Sequence, residues 1–171
     1  GHAYHGSVVQ ENSPLNRSYP MPLAETASIF CQTLMSKKMI AEITDPMEKL
    51  TVVEVSLSED TQCVIDILSR FIFESEVLNT PISKPLSAKE LCDMMLNAQE
   101  ASYGNGLAKD IRHPYMWVCK SHYYSAGLNF YNFPYAFGLL YGKGLYKQYL
   151  KDKEAFVKNY DKMLQATGYM S

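Results

Sequence analysis

Three features of the sequence predict an all-α fold. Helix starts carry capping residues, apolar residues recur at helical spacing, and no convincing period-2 run is bounded by turn residues. Leu23, Ala27, Phe30 and Leu34 mark an amphipathic helix between Met21 and Ile43, entered through Pro20 and Pro22. Asp45-Pro46-Met47-Glu48 opens the next helix, with a capping Asp, a Pro at the first helical position and a Glu placed to close a capping box. From there to about Leu78 the stripe is Leu50, Val53, Leu57, Val64, Leu68 and Phe71. Ser87-Ala88-Lys89-Glu90 is a second capping box, flanked by Leu86 and Leu91 at staple positions. That helix is expected to reach about Ser102 and to end at Gly104-Asn105-Gly106. A last helix over Asp152–Thr167 carries Phe156, Tyr160, Met163 and Leu164 on one side and stops at Gly168.

Residues 115–149 differ from the rest, holding 12 of the 21 aromatic residues. Tyr outnumbers Phe there, and a buried Tyr needs a partner for its hydroxyl. The stretch is either a wet-edged core or the wall of a cleft. Gly138 and Gly142 stand four apart, which lets a neighbouring backbone approach closely. Pro134 begins a helix or kinks one.

Composition narrows the function classes. Of 171 residues, 47% are hydrophobic and 20% charged, so most of the chain is expected to fold. Net charge is -2, with no basic stripe, which argues against nucleic-acid binding. No apolar run approaches the roughly 18–20 residues that span a bilayer, so no membrane partner is expected. GHAYHGSVVQ has neither a basic n-region nor an apolar h-region, so no signal peptide is read. Cys31, Cys63, Cys92 and Cys119 are spread singly, without C-x-x-C spacing, as expected of reduced thiols in a cytoplasmic protein.

By themselves His2, His5 and Glu25 are weak signals. A His near the start is ordinarily solvated, and a Glu in a first helical turn ordinarily serves the macrodipole. The words around them carry more. GHAYHG, then YPMPLAETASIF, TQCVIDILSRFIFESEV and HYYSAGLNFYNFPYAFGLLYG, in that order, resemble the oligoendopeptidase F family of thimet-oligopeptidase-like zinc metallopeptidases. The resemblance covers essentially the whole chain. It implies zinc-dependent endopeptidase cleavage of short peptides, in a site that excludes folded substrates.

The family's active-site helix carries H-E-x-G-H, and a third ligand, a Glu, follows on the next helix. Two His at i and i+4 share one helix face, and a carboxylate from a second helix completes three protein ligands of zinc. By the match His2 is the second His ligand and Glu25, 23 residues later, is the third ligand. His5 is not a ligand in that pattern and supports the site. The match also implies that His122 faces the zinc, that Tyr131 is the transition-state donor and that Tyr135 is second in line for that role. Tyr131 is expected in the same cleft as Glu25. Aromatic packing is the competing reading for both tyrosines.

The resemblance further implies that the first His and the general-base Glu of the word precede Gly1. The sequence therefore reads as a C-terminal portion of a catalytic domain, residues 1–171, trimmed at both ends. It is expected to hold zinc weakly, to lack activity alone and to self-associate through apolar faces of the 23–43 and 50–78 stripes. The alternatives are a non-catalytic peptide-binding helical module and a plain helical interaction fragment.

Overall fold

A computed structural model describes residues 1–169. Among the described residues the chain is helical and contains no strand. It divides into two compact units, one built from residues 1–60 with 134–169, the other from residues 61–133.

The first unit contains α1 (His2–Val9), α2 (Met21–Glu42) and α3 (Pro46–Thr61), which ends at the unit boundary. The return of the chain adds α6 (Phe133–Tyr149) and α7 (Lys153–Ala166). The expected stripes of α2 and α7 meet in its core, where Ala27 and Phe30 pack on Tyr160 and Leu164. The Phe30 ring lies 4.8 Å from that of Tyr160 and 5.3 Å from that of Phe156. Each such aromatic pair contributes about 0.5–1.5 kcal/mol beyond the area it buries. Asp152 caps α7 by accepting from the Ala155 N–H at 3.0 Å. Asp45 caps α3 by accepting from Met47 and Glu48, at 2.7 and 3.0 Å.

Two glycines set how closely α6 approaches α2. A Cβ on Gly138 would stand 2.9 Å from the Glu25 carbonyl carbon, and one on Gly142 would stand 3.1 Å from the Phe30 amide nitrogen. The pair spaced by four is thus a backbone-to-backbone seat, as the sequence spacing suggested.

The second unit contains α4 (Ile67–Asn79), α5 (Ala88–Tyr103) and a series of short 3-10 turns up to Tyr124. Its core is Phe73, Met95 and Ala98, with Met116, Trp117 and Tyr123 against it. The Ser87 capping box forms as expected. Ser87 Oγ accepts from the Glu90 N–H, and the Glu90 carboxylate accepts from the Ser87 N–H at 2.9 Å. Gly104 ends α5 with φ at +53°, a left-handed value that favours glycine.

The expected helix from Asp45 to about Leu78 departs from the structure in two ways. A π turn over Gln62–Asp66 interrupts it. Its stripe is also not the buried face: Leu50, Leu57, Val64, Leu68 and Phe71 are exposed, and α3 buries no residue. The inward face of α4 instead carries Ser69, Arg70 and Glu74 beside Ile67 and Phe73, with Asp66 buried just before it. Hydrogen-bonded polar groups can be buried without a large cost, and apolar periodicity does not register them. No helix among the described residues is long and apolar enough to cross a membrane.

Candidate functional site

Glu25 lies in the second turn of α2 and is held from several sides of the first unit. Gly1 sits against the α2 backbone, where a Cβ would fall 2.2 Å from Ser28 Cα and 2.6 Å from the Ala27 carbonyl oxygen. Gly138 of α6 presses on the backbone of Glu25 itself. Ser28 Oγ donates to Glu25 Oε2 at 2.9 Å. The other oxygen, Oε1, stands 3.8 Å from His2 Nε2. The Glu25 side chain is 10% exposed and that of His2 is 58% exposed, so the pair joins a fixed carboxylate to an accessible imidazole.

Two ligands of a tetrahedral zinc, each about 2 Å from the metal, lie roughly 3.3 Å apart. His2 Nε2 and Glu25 Oε1, at 3.8 Å, stand about half an ångström farther apart than that. The serine on the second carboxylate oxygen fixes the orientation of the carboxylate. No group of three or more His, Cys, Asp or Glu placed to hold a metal occurs among the described residues.

His5, one turn beyond His2, is fully buried rather than solvated or at a frayed end. Its ring stacks on Tyr19 with centroids 3.8 Å apart. Its Nε2 lies 2.9 Å from Thr167 Oγ1, and that hydroxyl donates to the Leu164 carbonyl at 2.7 Å. Burial lowers the His5 pKa. Tyr4 OH donates to the Asp161 carboxylate, and this bond is the main cause that pushes the Tyr4 pKa up to about 12. These contacts fasten α1 to α7 and so hold His2 against α2.

His122 and Tyr131 come together within the second unit. His122 lies in a 3-10 turn, Ser121–Tyr124, and Tyr131 in the turn before α6, with ring centroids 5.9 Å apart. Tyr135 lies in the first turn of α6, in the first unit, and is half-buried.

Behind His122 lies a polar network that sequence reasoning missed. His122 Nε2 is 2.7 Å from Asn132 Nδ2. Arg70 Nη1 donates to Asn132 Oδ1 at 3.0 Å, and Arg70 Nη2 donates to Asp66. Tyr103 OH donates to the other Asp66 oxygen at 3.1 Å. Glu74 Oε1 accepts from the Phe130 N–H at 2.7 Å and holds that residue at φ +55°. Asp66, Arg70, Glu74 and Asn132 are each less than a tenth exposed. Burial lowers the His122 pKa, with Arg70 and then Lys120 adding to the effect. Burial also pushes the Tyr103 pKa up to about 12, with Asp66 beside it. The available signal was Asp66, Arg70 and Glu74 at i, i+4 and i+8 on one helix face.

An apolar cavity of about 230 Å3 in the first unit is lined by Leu23, Thr26, Phe137, Tyr141, Met163, Leu164, Ala166 and Thr167. It has the lining for an apolar side chain.

Comparison with protein-family models, curated proteins and solved structures gave no match.

Proposed function

We propose that the chain belongs to a zinc metalloendopeptidase that hydrolyses oligopeptides, with His2 and Glu25 as two of the protein ligands. The observation that carries this reading is the 3.8 Å approach of His2 Nε2 to Glu25 Oε1, with the second carboxylate oxygen turned aside by Ser28. The remaining His and the general-base Glu of the H-E-x-G-H word belong, in this reading, to residues N-terminal to Gly1. Zinc, when bound, supplies Lewis acidity toward a peptide carbonyl.

The chain's own residues do the rest. Ser28 fixes the rotation of the Glu25 carboxylate, and the Gly138 seat fixes its backbone. The buried His5–Thr167 contact holds α1, and with it the His2 imidazole, in register. His122, Tyr131 and Tyr135 are assigned as polar donors to a substrate, Tyr131 to the oxyanion that develops on the carbonyl. A neutral donor aimed at that charge is worth a few kcal/mol. The 171 residues alone offer two ligands, so in this reading they bind zinc weakly and show no peptidase activity.

The test is made on the complete enzyme. Zinc content and cleavage of a quenched oligopeptide are measured for the wild type and for Glu25→Gln. Loss of zinc and of chelator-sensitive cleavage in the variant is expected. Full zinc content and unchanged cleavage in Glu25→Gln would overturn the reading.

A further inference from the structure

Arg70 reaches the Asn132 side chain through Nη1. A guanidinium carries donors only, so the Asn132 atom facing it must be the oxygen. The atom facing His122 Nε2 at 2.7 Å is therefore the amide NH2, also a donor. For that contact to be a hydrogen bond, Nε2 must be the bare, accepting nitrogen. The ring proton then sits on Nδ1.

We propose that Asp66, Arg70 and Asn132 are positioning residues that fix His122 as the neutral Nδ1–H tautomer, a hydrogen-bond donor for a carbonyl or carboxylate oxygen of a ligand.

The relay is directional from end to end. The Asp66 carboxylate accepts from both Tyr103 OH and Arg70, which locks the guanidinium in plane. The guanidinium sets the sense of the Asn132 amide, and the amide sets the tautomer. An imidazolium would bring an Nε2–H against the amide NH2, so the charged form is disfavoured by geometry. The charged groups that act on the ring are Arg70 and Lys120, which oppose a second proton. Asp66 and Glu74 are already committed, to Arg70 with Tyr103 and to the Phe130 N–H. That the acceptor is a substrate peptide carbonyl rests on the peptidase reading. The tautomer does not.

The experiment is a long-range proton–nitrogen correlation spectrum of the 15N-histidine-labelled chain at neutral pH. The four histidines, His2, His5, His113 and His122, are distinguished by a His122→Gln variant. His122 is expected to show a protonated Nδ1 and a bare Nε2. In Asn132→Asp the amide donor becomes an acceptor. His122 should then carry a proton on Nε2, and its titration midpoint should rise by about one unit or more. An Nε2–H tautomer in the wild type would overturn the proposal, and so would an unchanged tautomer in a folded Asn132→Asp. If that variant fails to fold, the wild-type spectrum decides alone. The spectrum needs neither zinc nor peptide, so its outcome is separate from the fate of the peptidase reading.

Discussion

Gly138 of α6 lies directly on the backbone of Glu25 in α2, with room for a hydrogen and none for a methyl group. The contact makes the place of the carboxylate depend on a residue 113 positions away in sequence. Gly138→Ala is expected to cost about 1–3 kcal/mol, the usual cost of overpacking. Gly144 lies on the same helix with nothing within 4 Å of an added Cβ. Gly144→Ala is expected to stabilise by roughly 0.5–1 kcal/mol through helix propensity. Urea unfolding of the two variants checks the contrast.

The fold should weaken as pH falls through the histidine range. His5 and His122 both have lowered pKa values in the folded chain, each mainly through burial. The unfolded chain titrates them near 6.5. Between that value and the lower folded values the unfolded state binds more protons, so stability falls as the pH falls through that window. Below the folded values this contribution levels off, and above about 6.5 it is fully present. Urea midpoints should therefore fall between pH 7 and 5.5, and less steeply in His5→Gln. A midpoint that rises on acidification would contradict this.

The buried Asp66–Arg70 pair should be costly to break from one side. Arg70→Met leaves the Asp66 carboxylate buried with only Tyr103 to answer it. A loss of about 3–5 kcal/mol is expected, as for other buried pairs deprived of one partner. Chemical denaturation of the variant measures it.

Much of the helical layout was legible. α2 announced itself by period, α5 by its capping box and stop glycines, and α7 by period and stop residue. The π turn at Gln62–Asp66 was not, since apolar spacing continues across it. The inward face at the start of α4 was misread because Asp66, just before the helix, and Arg70 and Glu74 within it are buried by hydrogen bonding rather than by hydrophobicity. In the site, His2 and Glu25 came from the resemblance, and only the fold places them 3.8 Å apart. Asn132 gave no signal, because its role depends on which of its two amide atoms meets Arg70.

Tyr131→Phe removes a hydroxyl and leaves the ring beside His122. In the complete enzyme kcat should fall by about 10–1000-fold with little change in KM, as for a lost oxyanion donor. Steady-state kinetics on an oligopeptide measures it. An unchanged kcat would move the role to Tyr135.

The most direct test of the His2–Glu25 pair is a zinc titration of the 15N-histidine-labelled chain, followed at each imidazole. His2 should respond first. Its response should weaken about tenfold or more in Glu25→Gln, as expected when one ligand of a metal site loses its charge. Buried His5 should stay still, and exposed His113 sets the background. A His2 signal that ignores zinc, or that responds equally in Glu25→Gln, would contradict the claim that these two residues form part of a metal site.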